Sequence, residues 1–506
     1  MSGTGKTVNN NISATGNQNV DGLIYGIAWS DQITFSFPNS SGQYGTPYGS
    51  GAFSQPNSLS SVSNDMKDTA RFILDKSFGN SANNGFSLEG FTNMSVSQTS
   101  SNKANLRYAQ SDAAGELAHA YFPTTHEAGG DLWFGTGEYV NPIMGNYEWM
   151  SILHETGHAL GLGHSHENNA FGSVPAEFDS MEYTVMSYRA YAGADFTYFN
   201  ETFGFAQTFM MLDIAALQQL YGADYSTNSG NTVYKWNPGS GNTRVDGTVA
   251  LDPGGNRIFA TIWDGGGKDT YDLSSYETDL QLDLRAGASS KFSDVQVANL
   301  GDGHFAAGNI YNALLFDRDK RSLIENAIGG GGNDIIVGNA AKNLLKGGGG
   351  SDHLEGLKGK DKLKGEAGAD ELSGGSGSDK LFGGTGGDHL EGGSGNDLIK
   401  GQKGNDVISG GLGKDTLYGG AGSDEFVFDN DIDFSKSSSI DIIKDFEIGV
   451  DLIRITNAQG IVDDISIEQL NDDKFKVTID STHVIKVYID GGGTLTTDDF
   501  MFEVVN

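Results

Sequence analysis

The sequence has no cysteine among its 506 residues. This absence excludes a disulfide framework, a thiolate metal site and a cysteine nucleophile. Proline is also scarce, with 8 residues against 74 glycines, so the chain is neither collagen-like nor a proline-rich linker. Basic residues are outnumbered by acidic ones, 32 to 66, which gives a net charge of −34. Such a negative charge argues against nucleic acid and against an anionic membrane surface as partners.

Two further absences concern targeting. No apolar run approaches the length of a membrane-spanning helix, so we predict no membrane span. Residues 1–10 are polar and lack the apolar stretch of a secretory signal, so we predict no N-terminal signal peptide. The length is enough for about two to four domains, at roughly 100–200 residues per domain.

Aspartate recurs with a strict period of nine residues in the glycine-rich second half of the chain. Each aspartate is the sixth residue of a nonapeptide G-G-x-G-x-D-x-U-x, in which U is apolar, and eleven units keep this frame with Asn343 replacing one aspartate. The repeating acids are Asp334, Asp352, Asp361, Asp370, Asp379, Asp388, Asp397, Asp406, Asp415 and Asp424. A flexible glycine-rich linker is the alternative, but a linker needs no common frame. The pattern therefore predicts a parallel β-roll.

Two nonapeptides complete one coil of such a roll, so turns on one side recur every 18 residues. Asp379 and Asp397, for example, are expected to face one calcium ion together with carbonyl oxygens of the turns, because calcium prefers oxygen ligands. The turn glycines expected at these sites include Gly375, Gly377, Gly384, Gly386, Gly393 and Gly395. Without metal the carboxylates repel one another and the roll has little apolar surface. We therefore expect calcium binding and folding to be one event.

One apolar helical stretch contains the pattern H-E-x-x-H-x-x-G-x-x-H, which begins at His154. His154 and His158 are four residues apart, so both side chains leave one helix face and can bind one zinc ion. Gly161 permits the positive φ that ends the helix and lets His164 return as a third ligand. Glu155 is expected to be the general base for a water activated by the metal. Two histidines on a helix are often ordinary surface or core residues, but five fixed positions favour a catalytic zinc site.

The pentapeptide Thr184-Val185-Met186-Ser187-Tyr188 follows the zinc motif. Alone, such a methionine is usually core filler, and the tyrosine could be an ordinary core residue. After this zinc motif, the stretch resembles the Met-turn of the metzincin proteases. That resemblance implies that Met186 lies beneath the zinc site as an apolar floor. It also implies that Tyr188 brings its phenol to the metal or to the tetrahedral intermediate.

A shorter fragment, 263–270, resembles one calcium-binding turn standing alone. Its two acids, Asp264 and Asp269, could hold a calcium ion between the catalytic domain and the roll. A simple turn is the alternative.

The zinc motif, the Met-turn and the nonapeptide array, in this order, resemble the serralysins, which are secreted bacterial metzincin proteases. The resemblance covers residues 20–506 and includes the stretches 34–38, 131–135, 211–222 and 441–446. It implies an extracellular endopeptidase with one catalytic zinc ion and several structural calcium ions, acting on protein and peptide substrates. It also implies export by a type I secretion exporter that reads the C-terminal region. Calcium-poor cytoplasm would then keep the roll unfolded for export, and we expect a monomer outside the cell.

The expected fold is an α/β (α+β) metzincin-type catalytic domain followed by an all-β parallel β-roll domain. Helical spacing at 63–78, 147–162 and 210–221 supports the first part. We predict five segments in chain order. They are a flexible N-terminal segment that can include a propeptide remnant (1–20), the zinc metalloprotease catalytic domain (21–235), a β-rich linking region (236–328), the repeat roll (329–428) and a C-terminal β region with the secretion signal (429–506).

Two positions depart from the family pattern. Ser165 stands where the family usually has proline after the third histidine, and Arg189 stands where a tryptophan commonly follows the Met-turn tyrosine. Neither residue is a metal ligand, so the expected activity is kept. The family's fine cleavage preference is not carried over, because both residues flank the cleft.

Three other functions compete with this one. A calcium-binding structural or adhesive protein with a vestigial protease domain is disfavoured by the complete zinc motif. A calcium-dependent lipase is disfavoured because the sequence has no G-x-S-x-G nucleophile elbow. Other metzincin classes, such as the astacin-like and adamalysin-like enzymes, normally contain cysteines, and this chain has none.

Overall fold

The computed structural model describes residues 6–44, 59–114, 117–429, 440–457, 465–479 and 483–503. The chain forms two compact units. The first combines Met1–Asp269 with Ala286–Leu323, and the second combines Thr270–Arg285 with Ile324–Asn506. The chain therefore leaves the first unit, returns to it once and then remains in the second.

A six-stranded sheet forms the centre of the first unit. Its strands in spatial order are Val96–Gln98, Ile33–Ser36, Leu106–Ser111, Asp131–Phe134 and Ala118–Ala120, with Leu59–Ser60 also paired to Leu106–Ser111. The first four run parallel, whereas the edge strand Ala118–Ala120 is antiparallel to its neighbour. Every residue of the central strand Leu106–Ser111 is buried, so both faces of the sheet are covered.

The α-helices of the described residues all belong to the first unit. They are Gln18–Asp21, Asn64–Leu74, Leu88–Phe91, Tyr147–Leu160 and Met211–Tyr221. The helix Tyr147–Leu160 packs against the sheet strands Ala118–Ala120 and Asp131–Phe134. All of its residues from Trp149 to Leu160 are buried, which explains its nearly continuous apolar sequence. Among the described residues, no helix has both the length and the apolar character needed to cross a membrane.

The remaining strands of the first unit are short. They are Val8–Asn9, Ala28–Trp29, Val233–Lys235, Thr243–Val245, Thr248–Leu251, Ala260–Ile262, Ser289–Ser290, Asn299–Gly301, His304–Phe305 and Ile310–Asn312. The sequence predicts a flexible segment at 1–20, and in the structure residues 6–20 make specific contacts. Val8–Asn9 pairs with Ala28–Trp29, and the buried Lys6 ammonium donates to the carbonyl oxygen of Gly129 at 2.6 Å.

The strands of the second unit form two sheets, and within the repeats the chain passes from one sheet to the other. The front sheet contains, in spatial order, Thr270–Asp272, Asn326–Ile328, Leu344–Gly349, Lys362–Ala367, Lys380–Thr385, Leu398–Lys403, Thr416–Ala421, Ile440–Phe446, His483–Ile489, Lys474–Ile479 and Ser466–Asn471. The back sheet contains Gln281–Asp283, Ile335–Val337, His353–Glu355, Glu371–Gly377, His389–Gly395, Val407–Ser409, Glu425–Asp429, Leu452–Thr456 and Phe500–Phe502. Two further short strands belong to this sheet. Lys358–Gly359 pairs with Glu371–Gly377, and Leu412–Gly413 pairs with His389–Gly395. Residues 504–506, at the end of the predicted secretion signal, lie outside the described part.

The repeat strands of each sheet pair in a register of 18 residues. Leu345 lies beside Leu363, Leu363 beside Leu381, and Leu381 beside Ile399. The apolar residue of every repeat is at most 1 % exposed. These residues are Ile336, Leu345, Leu354, Leu363, Leu372, Leu381, Leu390, Ile399, Ile408, Leu417 and Phe426. A mixed α/β unit accompanied by a mostly parallel all-β unit confirms the expected fold class.

Candidate functional site

The active-site helix, Tyr147–Leu160, begins and ends with specific caps. The side chain of Asn146 accepts a hydrogen bond from the backbone N–H of Trp149 at 2.8 Å, which satisfies one free donor of the first turn. Gly161 ends the helix with φ of 106°, a left-handed conformation that glycine adopts without strain. A Cβ at this position would lie 2.4 Å from the carbonyl oxygen of Ile27. The tight turn directs the chain back toward the helix at His164.

Three histidines meet beside this helix, as the sequence predicts. One ring nitrogen from each of His154, His158 and His164 lies within 4.8 Å of the other two. The Nδ1 atom of His154 is 2.7 Å from the carbonyl oxygen of Val185, and that of His158 is 2.7 Å from the carbonyl oxygen of Leu162. With Nδ1 donating in each contact, Nε2 is the free acceptor, so both rings present Nε2 to the shared site.

The third histidine is oriented by a carboxylate. His164 Nδ1 lies 3.1 Å from Glu167, and His164 Nε2 is 3.0 Å from His158 Nε2. His166 lies in a more exposed group with His164 and Glu167, and it is not in the histidine triad.

The environment keeps these imidazoles neutral. Burial, with a smaller effect of His164, lowers the pKa of His154 to about 3. Burial and the neighbouring His154 and His164 also hold the pKa of His158 well below its usual range. Nε2 of His154 is buried and has no hydrogen-bond partner among the described residues. Three neutral imidazoles, one of which has a buried Nε2 without a hydrogen-bond partner, form a set of ligands that fits zinc.

Glu155 lies beside the histidines with one free carboxylate oxygen. Its Oε2 atom is buried and has no hydrogen-bond partner among the described residues. Burial raises the pKa of Glu155 to about 8. Glu155, His154 and Tyr188 line a cleft of about 820 Å³, so the carboxylate faces a space that a substrate can enter. Most other lining residues are apolar or aromatic and include Leu117, Tyr139, Tyr147, Met150, Phe196, Tyr198, Phe199 and Phe205.

Tyr188 lies beside the histidines, and Met186 lies against the helix that carries two of them. The Tyr188 ring lies 4.5 Å from that of His164 and 5.5 Å from that of His154, and the side chain is 36 % exposed to the cleft. Burial and the carboxylate of Glu155 raise the pKa of Tyr188 to about 12, so its phenol is protonated at neutral pH. Met186 is fully buried, and its sulfur lies 2.5 Å from where a Cβ on Gly157 would be. Gly157 therefore makes room for the Met-turn beneath the helix.

Asp213 is a residue that the sequence reasoning missed. Its buried carboxylate accepts hydrogen bonds from the N–H of Val185 at 2.8 Å, from the N–H of Met210 at 2.9 Å and from the hydroxyl of Thr184. Burial raises the pKa of Asp213 to about 7. Because the carbonyl of Val185 orients His154, Asp213 supports the first histidine through the Met-turn. An aspartate in the apolar start of the helix Met211–Tyr221 was the signal available in the sequence.

We expect Asp213→Ala to destabilise the first unit by about 3 kcal/mol, because two backbone donors and one hydroxyl would lose a charged acceptor in a buried place. All five tryptophans, at positions 29, 133, 149, 236 and 263, lie in the first unit, so urea unfolding followed by tryptophan fluorescence measures it selectively. Asp68→Ala removes a half-exposed partner of Arg71 and should cost less than about 0.5 kcal/mol. Equal midpoints for the two variants would contradict this role of Asp213.

The buried carboxylate of Asp179 contacts both residues that depart from the family pattern, Ser165 and Arg189. Asp179 accepts hydrogen bonds from the hydroxyl of Ser165 at 2.5 Å, from the hydroxyl of Ser187 at 2.6 Å and from Nε of Arg189 at 3.1 Å. Ser165 directly follows His164, and Arg189 directly follows Tyr188. The two unusual residues therefore act together to tie the third histidine to the Met-turn tyrosine.

The two acids of the isolated turn are neighbours in the first unit. Asp264 is buried and accepts hydrogen bonds from the hydroxyl of Tyr234 and the N–H of Gly266, each at 2.8 Å. Asp269 is also buried and accepts from the N–H of Thr232 at 2.7 Å. Burial and the neighbouring Asp269 carboxylate raise the pKa of Asp264. Burial is also the main cause that raises the pKa of Asp269. Two neighbouring buried carboxylates suit a cation.

The repeating aspartates of the roll are all buried. In eight of them Oδ1 accepts the backbone N–H of the aspartate 18 residues earlier, as Asp397 accepts from Asp379 at 2.7 Å. Oδ1 of Asp361 accepts from Asn343 in the same way, and Oδ1 of Asp334 accepts the N–H of Leu280. The other carboxylate oxygen, Oδ2, is buried without a hydrogen-bond partner among the described residues in eight of the repeating aspartates. These eight are Asp352, Asp361, Asp370, Asp379, Asp388, Asp397, Asp406 and Asp424. The predicted turn glycines, Gly375, Gly377, Gly384, Gly386, Gly393 and Gly395, all have φ between 90° and 155°. Carboxylate oxygens that recur along the roll without a hydrogen-bond partner suit calcium, which prefers oxygen ligands.

The sequence matches the models of two known protein families. The family model described as "Peptidase M10 serralysin C terminal" matches residues 223–506, more than half of the chain. The chain belongs to the serralysin family. A second model, "Matrixin", matches residues 89–175, which contain the helix and the three histidines. The serralysin assignment confirms the family that the motifs suggested.

Several named relatives show the same likeness. Serralysin of Proteus mirabilis is 35 % identical over 343 residues, which cover 63 % of this chain and 61 % of that protein. Serralysin C of Dickeya chrysanthemi is 37 % identical over 233 residues, 44 % of this chain and 43 % of that protein. Metalloprotease AprA of Pseudomonas entomophila is 34 % identical over 242 residues, 45 % of each chain. The chain thus spans about two fifths to three fifths of the length of these serralysin-type relatives.

Proposed function

We propose that this chain is a zinc-dependent endopeptidase that hydrolyses peptide bonds of protein substrates. The observation that carries the proposal is the free Glu155 carboxylate beside three neutral imidazoles in an open cleft. His154, His158 and His164 would hold the metal through Nε2. Zinc, when bound, supplies a Lewis acid that polarises a carbonyl group and acidifies water. The names of the metalloprotease relatives support the same chemistry.

Glu155 acts as the proton carrier in this proposal. Its free oxygen accepts a proton from the attacking water as the new C–O bond forms at the scissile carbonyl carbon. The same carboxyl group then delivers that proton to the departing amine nitrogen as the C–N bond breaks. In this proposal the phenol of Tyr188 would donate a hydrogen bond to the oxygen that becomes negative, or act as a further metal ligand in the resting enzyme. The aromatic wall of the cleft would accept apolar substrate side chains.

The second unit serves as a calcium-dependent folding module in this proposal. The Oδ2 atoms of the roll that have no hydrogen-bond partner would hold several calcium ions, and the turn carbonyls of the six glycines would complete the ligands. In the first unit, Asp264 and Asp269 would hold a further calcium ion. We propose that the protein acts outside the cell as a monomer. It would reach that location through a type I exporter, unfolded in calcium-poor cytoplasm and folded by calcium outside. The serralysin relatives support this location.

Casein cleavage before and after selective zinc removal tests the proposed activity. Treatment with 1,10-phenanthroline in calcium-containing buffer should abolish cleavage, because the three histidines would lose the metal while the roll keeps its calcium. Stoichiometric zinc should restore cleavage, and tryptophan fluorescence should stay unchanged throughout. A zinc-loaded, folded protein that does not cleave casein would refute the endopeptidase proposal.

A further inference from the structure

The front sheet of the second unit carries a column in which lysine and aromatic side chains alternate. Lys364 lies beside Phe382, Phe382 beside Lys400, and Lys400 beside Tyr418 on successive strands. On the next strand Ile443 lies beside Leu417, and the ammonium of Lys444, which follows Ile443, contacts the ring of Tyr488 on the strand after that. All six side chains are half-buried on the outer face, because their neighbours in sequence point into the core. We name these six residues the lysine–aromatic stripe.

Contacts between the cations and the rings hold the stripe together. The ammonium of Lys400 lies 4.4 Å from the ring centre of Tyr418, and that of Lys444 lies 4.2 Å from the ring centre of Tyr488. A hydrogen bond from Lys474, with the nearby charge of Lys444, lowers the pKa of Tyr488. The ammonium groups of Lys444 and Lys474 lie 4.2 Å and 4.7 Å from the centre of the Tyr488 ring, so this end of the face is locally positive.

Lysines are more frequent on the front sheet than on the back sheet. The five front-sheet strands from Leu344–Gly349 to Thr416–Ala421 contain six lysines and a single acid, Glu366. The five back-sheet strands from His353–Glu355 to Val407–Ser409 contain one lysine, Lys358, and three glutamates. In a chain of net charge −34, this basic face with interleaved rings belongs to the second unit, whereas the three histidines belong to the first. Charge complementarity points to an anionic partner.

The spacing of the stripe selects the kind of anion. Neighbouring strands are about 4.8 Å apart, so lysines on alternate strands recur about every 9.6 Å. That distance is close to the length of two sugar rings in an extended polysaccharide. Stacked single-stranded nucleic acid carries one phosphate about every 3.4 Å, which is much closer than the lysines of the stripe. The cations are also all lysines, whereas arginine is the usual partner of phosphate.

We propose that the lysine–aromatic stripe binds a linear polysaccharide that carries carboxylate groups. The ammonium groups of Lys364, Lys400 and Lys444 pair with the carboxylates, and the rings offer flat apolar surface to the C–H faces of the sugars. The acidic remainder of the protein repels the same polymer, so binding is restricted to this face. Because the pairs are exposed, binding weakens as salt concentration rises.

Binding of fluorescein-labelled hyaluronan to the full-length protein in calcium tests the proposal. Hyaluronan has one carboxylate for every two sugar rings, and fluorescence anisotropy at low and high salt measures its affinity. The triple variant Lys364→Gln, Lys400→Gln, Lys444→Gln should bind about tenfold more weakly. The triple variant Lys67→Gln, Lys103→Gln, Lys320→Gln makes the same change of charge in the first unit and should stay within about twofold of wild type.

Two further measurements separate the alternatives. Tyr418→Ala keeps every charge and should weaken hyaluronan binding several-fold if the rings take part. Labelled dextran, which is neutral, and an oligodeoxythymidylate should bind more weakly than hyaluronan. The proposal is overturned if hyaluronan binds no better than dextran, if the two triple variants bind alike, or if the oligonucleotide binds more tightly. If the stripe triple variant fails to fold in calcium, the single variant Lys400→Gln should still show about a threefold loss.

Discussion

Replacing Glu155 by glutamine is expected to lower kcat for casein cleavage by about 10²–10⁴-fold, the range that a positioned general acid or base contributes. Glutamine keeps the shape of the side chain but cannot accept the proton from water. KM should change little, because Glu155 acts on the water and not on the binding of the substrate chain. Zinc content, measured by atomic absorption, should equal that of wild type, because Glu155 is not one of the three histidine ligands.

Glu148 offers a matched control for this variant. It lies in the first turn of the same helix, and its carboxylate accepts the N–H of Asn141 at 2.7 Å. Because Glu148 does not line the cleft, Glu148→Gln should keep kcat within about twofold of wild type. If a zinc-loaded Glu155→Gln protein retained more than about a tenth of the wild-type kcat, Glu155 would not be the proton carrier.

Removal of calcium is expected to unfold the second unit while the sheet of the first unit persists. Eight aspartates of the roll would then bury a carboxylate oxygen with neither metal nor hydrogen-bond partner, which is costly in free energy. Circular dichroism in a calcium chelator should lose the β-sheet signal of the second unit and regain it when calcium is added. Tryptophan fluorescence reports only the first unit and should change much less. A roll that stays fully folded in chelator would contradict the prediction.

The same carboxylates predict a dependence of calcium binding on pH. Burial raises the pKa of Asp352, Asp361 and Asp406 to about 7, above the ordinary value of 3.8. The metal-free roll therefore gains stability as the pH falls from about 7 toward 4, and it loses that stability as the pH rises through 7. Calcium binds the deprotonated carboxylates, so the apparent affinity for calcium should fall as the pH falls from about 7 toward 4. Calcium titrations at about pH 5.5 and 7.5 should give different midpoints, and equal midpoints would contradict the proposed sites.

The sequence was most informative where the chemistry is local or periodic. The zinc motif lies within one helix and its following turn, so the spacing of His154 and His158 already determines which face they share. The roll repeats one chemical unit, so its register follows from the position of a single aspartate. Both features could be predicted because the interacting residues are related by a fixed number of residues along the chain.

Other parts of the site depend on contacts that have no period. Asp213 supports the Met-turn from 28 residues away, and its partners are mainly backbone N–H groups, which every residue type possesses. Asp179 likewise binds two serines and an arginine whose sequence positions have no common spacing. Lys6 is buried against a carbonyl oxygen 123 residues away, although its surroundings in sequence are polar. Such contacts arise only from the three-dimensional fold.

The register of 18 residues restricts how the length of the roll can change during evolution. Each coil contributes one strand to the front sheet and one to the back sheet, and eight of the aspartates accept the backbone N–H of the aspartate one coil earlier. An insertion or deletion of 18 residues preserves both relations, because every later strand stays in its own sheet. A change of nine residues keeps the nonapeptide frame but exchanges the sheets, so lysine-bearing strands would stack on glutamate-bearing ones. The array can therefore grow or shrink only by whole coils without mixing its two surfaces.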